Sequence, residues 1–122
     1  MVQINLAPAV VDVAGIRAGD RNLFQVTVRS GGSALNLTGY TITAQARDTA
    51  VDETNVLDAV CTVTDAAAGK IDVRFRGDDV RTWLGSDSSL KGVWDMQLDD
   101  GTNDPWTVIA GSFSAELDVT RV

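Results

Sequence analysis

The clearest pattern in the chain is the alternation of apolar and polar residues in its last third. Trp94, Met96 and Leu98 alternate with polar residues, which is the period of a strand with one buried face. The turn-forming sequence DDGTNDP follows at 99–105. Trp106, Val108 and Ala110 then alternate with Thr107 and Ile109, and Gly111 separates this run from a third that begins at Phe113. These runs predict the closing strands of a sheet, with a hairpin loop between the first two and with Trp94 and Trp106 both facing the core.

Earlier runs alternate in the same way and predict further strands. Ala59–Thr64 adds a short strand, whereas Asp48–Asp58 is polar without periodicity and predicts a long exposed loop. Short strands at regular spacing indicate an all-β fold, an antiparallel β-sandwich (immunoglobulin-like or jelly-roll-like) of about eight or nine strands. The inward residues of the other runs are Phe24, Val26 and Val28; Tyr40, Ile42, Ala44 and Ala46; and Ile71, Val73 and Phe75.

One segment, Gly77–Leu84, predicts a short helix. Asp78 or Asp79 suits its first turn as a cap, and Gly85 suits its end. Its apolar residues recur at helical spacing. We therefore expect the helix to cover one end of the sandwich, with Trp83 partly exposed.

Size and composition set the protein class. A chain of 122 residues predicts a single domain spanning 1–122. Its 44% hydrophobic and 22% charged residues are ordinary for a soluble protein. No apolar run is long enough to span a bilayer, and the start, MVQINLAPAVV, lacks the features of a secretory signal. We expect synthesis in a cytoplasm, with export only within a larger particle.

The balance of charge argues against two kinds of partner. Ten basic and seventeen acidic residues give a net charge of −7, which disfavours nucleic acids and anionic membranes. The sequence contains no histidine, so the commonest general base and metal ligand is missing. Cys61 is the only cysteine and is expected to be a small core side chain.

Three groups of residues are candidate chemical sites. Asp99–Asp104 has the composition of a calcium loop but lacks a complete ligand spacing, so we expect no metal there, and no cofactor elsewhere. Asp95, Glu116 and Asp118 form a candidate carboxylate pair or group, although surface charge ladders explain them better. Trp83 together with the Asp99–Asp104 loop is a candidate carbohydrate site.

The N-terminus predicts an arm or an edge strand over residues 1–11. It carries no charge before Asp12, and Pro8 interrupts its alternation. Such an arm either folds back on its own sheet or adds to a neighbour's strand edge. We expect the neighbour, because open edges need blocking. The candidate assembly residues are Val2, Ile4, Leu6, Val10, Val11 and Trp83.

Five segments in order resemble a family. They are GDRNLFQVTV, LNLTGYTITAQAR, GKIDVRF, GVWDMQLDDG and WTVIAGSFSAELDVTR. Together they resemble the small β-sandwich virion proteins of tailed bacteriophages, a group that includes the N-terminal domain of baseplate upper proteins and small minor tail proteins. The resemblance covers about Gly19 to Arg121, and the segment DVTR is its most distinctive part.

The resemblance implies a non-enzymatic virion structural protein. Its expected partners are other virion structural proteins and copies of itself, in a homo-oligomer or in many copies per particle. A minor tail or baseplate component is the expectation. The alternatives are a capsid decoration protein, a carbohydrate-binding module and, more remotely, an enzyme that uses a carboxylate pair.

Overall fold

The computed structural model describes residues 9–30, 32–48, 56–102 and 105–117. Over these residues the chain forms eleven strand segments and one helix. The strands are β1 (Ala9–Val10), β2 (Val13–Arg17), β3 (Leu23–Thr27), β4 (Arg29–Ser30), β5 (Ser33–Ala34), β6 (Thr41–Arg47), β7 (Val56–Asp58), β8 (Val60–Asp65), β9 (Lys70–Arg74), β10 (Ser89–Asp99) and β11 (Trp106–Glu116), and the helix is α1 (Gly77–Leu84).

The strands form two main sheets. The larger has the order β1-β11-β10-β6-β7, with β2 also pairing with β11, and the smaller has the order β3-β9-β8. Strands β4 and β5 form a separate hairpin. Most pairs are antiparallel, but β1 and β2 run parallel to β11. The predicted all-β sandwich is confirmed, and the short segments raise the number of strands above the eight or nine expected.

The core lies between the sheets, where the alternating residues place it. In β10, Trp94 is 2% exposed and Met96 and Leu98 are also buried, so the predicted facing is confirmed. Ile71 and Val73 of β9 are fully buried opposite them. Aromatic rings fill the space between the sheets: Phe24 meets Trp94 edge-on at 6.0 Å, and Phe75 and Phe113 are 4.9 Å apart between ring centroids.

The helix has the bounds that the sequence predicts, but not the predicted cap. Residue Arg76 occupies the N-cap position and makes no side-chain capping hydrogen bond. Asp78 and Asp79 lie in the first turn instead, where their charge still suits the helix dipole. Gly85 ends the helix at φ 62°, and its N–H donates to the carbonyl oxygen of Arg81 at 3.2 Å.

Two tryptophans are placed contrary to expectation. Trp83 is only 3% exposed, because the helix turns it onto the core, where its ring meets Phe113 edge-on at 5.4 Å. Trp106 is 43% exposed. It pairs with Leu98 and so faces the inner side, but it lies at the end of the sheet. The expectations of an exposed Trp83 and a buried Trp106 are both wrong.

A β-bulge explains why the alternation of β11 misleads. Met96 pairs with Ile109, but the next residue, Gln97, pairs with Thr107. Val108 is therefore an extra residue, and the phase of the strand changes there. As a result Ile109 is buried, although the sequence pattern placed it on the outward face.

The predicted loop at 48–58 is partly a strand. Val56–Asp58 forms β7, which pairs with β6 through Leu57 and Ala46. Leu57 is buried, which explains why this polar segment is held on the sheet. Residues 49–55 lie outside the described residues.

Candidate assembly surface

The N-terminal segment is attached to β10 and β11 by both main-chain and side-chain hydrogen bonds. The Val11 N–H donates to the carbonyl oxygen of Ala110 at 3.1 Å. Trp94 Nε1 donates to the carbonyl oxygen of Val11 at 2.7 Å. The Ser112 N–H donates to Asp12 Oδ1 at 3.0 Å, and this hydrogen bond lowers the pKa of the Asp12 carboxyl. The segment is therefore fixed as an edge of its own larger sheet.

Asn22 holds the end of β2 at Arg17, and no pattern in the sequence marks it for this role. Its Oδ1 accepts from the N–H of Arg17 at 3.1 Å, and its Nδ2 donates to the carbonyl oxygens of Arg17 at 2.8 Å and Phe75 at 3.0 Å. Asn22 has φ 49°, in the left-handed region that asparagine tolerates well. The turn residues GDRN signal a loop but not this bridge between the two sheets.

The candidate assembly residues differ in their exposure to solvent. Val10 is 79% exposed and Val11 is 42% exposed, so both offer apolar surface at the sheet edge. Val2, Ile4 and Leu6 lie outside the described residues, and their role stays a prediction. In the described part of the arm, Ala9 and Val10 pair with β11 of the same chain, as in the fold-back alternative. Trp83 offers no comparable surface because it is buried.

A shallow depression of about 690 Å³ lies against the larger sheet. Register places Asp58, Gln45, Asp95, Ala110 and Val10 in one row across five strands. Opposed residues share a face, and the neighbours of Asp95 along β10 are buried, so the row faces outward. The depression is lined by Thr43, Gln45, Arg47, Val93, Trp94, Asp95, Gln97, Ala110 and Gly111.

The polar groups beside Asp95 are mostly engaged with one another. Gln45 Nε2 donates to Asp58 Oδ1 at 2.7 Å, and Arg47 Nη2 donates to Gln45 Oε1 at 3.1 Å. Partial burial raises the pKa of the Asp95 carboxyl, and the charge of Arg47 opposes this only in part. Ionised Asp95 is therefore incompletely compensated on this face.

Replacing Asp95 tests this electrostatic balance. Because folding raises the pKa of Asp95, protonation of this side chain stabilises the folded protein at pH values below the unfolded pKa of 3.8. This stabilisation is lost as the pH rises through the pKa of the folded state. We expect Asp95→Asn to stabilise the protein at pH 7, by about 0.5 kcal/mol or less, and to lose this advantage in acid. Urea denaturation of both proteins across pH measures it; a destabilised variant at pH 7 would contradict it.

The candidate carboxylate group is not assembled. Asp95 pairs with Ala110 and Glu116 pairs with Ser89, so six residues of β10, or about 20 Å, separate the two acids. Glu116 Oε1 is 3.2 Å from Arg17 Nη2 in a salt bridge. Asp118 lies outside the described residues. The two described carboxylates share no reaction centre.

The acidic hairpin loop is organised by its own backbone. Asp99 Oδ1 accepts from the N–H of Gly101 at 2.8 Å, and Asp100 Oδ1 accepts from the N–H of Thr102 at 2.9 Å. Such bonds are typical of aspartate in turns. Residues 103 and 104 lie outside the described residues. Among the residues that the structure describes, no group of three acidic, cysteine or histidine side chains is arranged to hold a metal.

We therefore expect calcium to leave the stability unchanged. A ligand that binds only the folded state must raise its melting temperature, and Asp99 and Asp100 already bond to the loop backbone. Thermal melts with calcium, with magnesium and with a chelator should superimpose. A rise in melting temperature with calcium alone would show that the loop holds an ion.

Cys61 has the environment of a structural thiol. It pairs with the buried Val73, and burial raises the pKa of the Cys61 thiol. A raised pKa keeps the thiol protonated, and the thiolate is the reactive form. Cys61 is half-buried and packs against the core without being part of it, so the expectation of a small core side chain is met in part.

No helix in the described ranges is long and apolar enough to cross a membrane. No family model matches the chain, and no curated protein matches it. Among solved structures, it is similar to the "N-terminal domain of phage TP901-1 ORF48", with 11% sequence identity and a TM-score of 0.44, covering 92% of this chain and 85% of that one. A likeness at this level carries no argument about function.

Proposed function

We propose that the protein is a non-enzymatic structural component of a tailed-bacteriophage virion, a minor tail or baseplate protein. It assembles through contacts with other virion proteins and with copies of itself. The observation that carries this proposal is the exposed apolar edge at Val10 and Val11, 79% and 42% exposed, where β1 and the residue after it are held beside β11. Exposed apolar surface of this kind favours burial against another protein.

Two further observations support the proposal. The five sequence segments that resemble phage virion β-sandwich proteins contain β3, β6, β9 and β11 and most of β10, and these strands form most of both sheets. The candidate carboxylates Asp95 and Glu116 are far apart along the larger sheet, which disfavours the enzymatic alternative.

The direct test is to look for the protein in particles. Virions of the phage that encodes it should contain the chain after gradient purification, and antibody labelling in electron micrographs should mark the tail tip. Labelling over the head would favour the capsid decoration alternative. Absence of the chain from purified, infectious particles would overturn a structural role in the virion.

Removing residues 2–10 tests the N-terminal arm. The deletion spares the bonds of Val11 and Asp12 and all of β2, so we expect a folded, soluble domain that no longer enters particles. The assay is complementation of a knockout phage followed by analysis of purified virions. Val60→Ser, which changes another exposed valine (47%) on the smaller sheet, is the matched control.

Two results would contradict the arm prediction. Normal incorporation of the truncated chain would exclude the arm as an assembly element. Unfolding of the isolated truncated domain would show instead that folding requires the pairing of Ala9 and Val10 with β11.

The burial of Trp83 argues against the carbohydrate-binding alternative. Sugar binding to tryptophan needs an accessible ring face, but Trp83 is buried against Phe113. Trp106 is the exposed tryptophan beside the acidic loop, so a glycan array with wild type and Trp106→Ala is the appropriate test. We expect no glycan binding by either protein.

A further inference from the structure

We propose that the depression on the outward face of the larger sheet receives a single lysine or arginine side chain from a partner protein. The cationic group binds the Asp95 carboxylate, and the methylene stem lies over Ala110 towards Val10. The proposal deepens the proposed function by giving the chemistry of one partner contact. Its test with a short peptide gives a result whether or not the protein is found in particles.

The two neighbours of Asp95 in its row differ in size and polarity. On the β6 side, the amide of Gln45 already hydrogen-bonds to Asp58 and Arg47. On the β11 side, the neighbour of Asp95 is Ala110, whose side chain is a single methyl group. The next residue in the row is the exposed Val10. An approach to the carboxylate from the edge of the sheet therefore crosses the apolar side chains of Val10 and Ala110.

This arrangement matches the chemistry of a long basic side chain. Lysine and arginine bury their methylene stems along apolar surface while the charged end meets a polar partner. A carboxylate accepts charge-assisted hydrogen bonds, which are stronger than neutral ones. A ligand carboxylate or phosphate at the same place would be repelled by Asp95.

The charges around Asp95 favour a cation despite the presence of Arg47. Arg47 lies on the β6 side, donating to Gln45 Oε1 at 3.1 Å, and Asp58 supplies a second negative charge in the same row. Burial outweighs Arg47 in its effect on the pKa of Asp95, so the carboxylate still gains from a further positive group. The net charge of −7 also steers basic partners to the protein.

The experiment is an NMR titration of the isotopically labelled full chain with capped Gly-Lys-Gly. Capped Gly-Glu-Gly and a norleucine analogue, which keeps the stem without the charge, are the control peptides. We expect saturable shifts at Val93, Asp95 and Ala110 with the lysine peptide only. Asp95→Asn should weaken its binding by about tenfold, the loss typical of a charged hydrogen bond, and Ala110→Leu should block the stem.

Asp72→Asn is the matched control variant. Asp72 also lies on the central strand of a sheet, beside a glutamine, Gln25, whose Nε2 is 3.4 Å from its Oδ1, but outside the depression. It should bind the lysine peptide as wild type does. Equal binding by Asp95→Asn, or equal shifts with the norleucine peptide, would overturn the proposal, as would the absence of saturable shifts. A folded spectrum of each variant excludes unfolding as the cause.

Discussion

Replacing Trp94 with alanine should destabilise the protein by about 3–5 kcal/mol, the range for large aromatic truncations in cores. The side chain is 2% exposed and packs edge-on against Phe24 and Phe75, at 6.0 and 6.5 Å between ring centroids. Its loss leaves a cavity between the sheets and also removes the hydrogen bond from Nε1 to the Val11 carbonyl. Chemical denaturation gives the free energy of unfolding.

Trp94→Phe separates the two contributions. Phenylalanine keeps an aromatic ring in the core but has no donor for the Val11 oxygen, and leaving such a group without a partner costs about 1–3 kcal/mol. We expect an intermediate loss of stability, with faster hydrogen exchange at the edge strand. Trp106→Ala is the control, because Trp106 is exposed at the end of the sheet. A Trp94→Ala midpoint equal to that of wild type would show that the ring does not support the core.

Gly111→Ala should detach the N-terminal edge and lower the stability by about 1–3 kcal/mol, as overpacking does. A Cβ atom at Gly111 would overlap the carbonyl oxygen of Val11 and lie 2.6 Å from its carbonyl carbon. These are main-chain atoms, so a rotamer change gives no relief. The close approach brings the Val11 oxygen within reach of the Trp94 indole.

Hydrogen exchange distinguishes detachment of the edge from general destabilisation. In Gly111→Ala, the Val11 and Ser112 amides should exchange faster while the amides of β9 stay protected. Ser114→Ala, an outward-facing change in the same strand, is the matched control and should leave both unchanged. Wild-type protection at Val11 in Gly111→Ala would mean that the backbone accommodates the methyl group.

The sequence predicts those parts of the fold in which local pattern and tertiary packing agree. Met96 and Ile71 lie in uninterrupted alternating runs, and both are buried as expected. The helix at Gly77–Leu84 is also predicted within its bounds, because glycine at its end and acidic residues in its first turn are local signals. None of these features depends on which strand lies beside which.

The errors arise where a distant partner decides the outcome. The extra residue Val108 changes the phase of β11 only because Gln97 pairs with Thr107, and no local signal marks that register shift. Trp83 is buried because Phe113 lies beneath the helix. The helical spacing of Trp83 with Val80 and Leu84 shows that they share one face of the helix. It does not show which part of the protein that face packs against.

The candidate site is even less visible in the sequence. Val10 and Val11 stand out as apolar residues near the N-terminus, but Asp95 is singled out only as part of a carboxylate group with Glu116 and Asp118, which the fold does not assemble. Its position becomes distinctive only because Ala110 lies on one side and an engaged Gln45 on the other. Recognising this combination requires the order of the strands in the sheet, and the alternation of apolar and polar residues does not specify that order.

The pairing of the first strands with the last has a consequence for synthesis. Asp12 meets Ser112, 100 residues later in the chain, so a nascent chain cannot complete this edge until β11 has left the ribosome. Contacts between residues so far apart in sequence form slowly. Until then Val13 and Ile16, which end up buried, stay exposed. The growing chain therefore carries an apolar segment that a chaperone can bind until β11 has been synthesised.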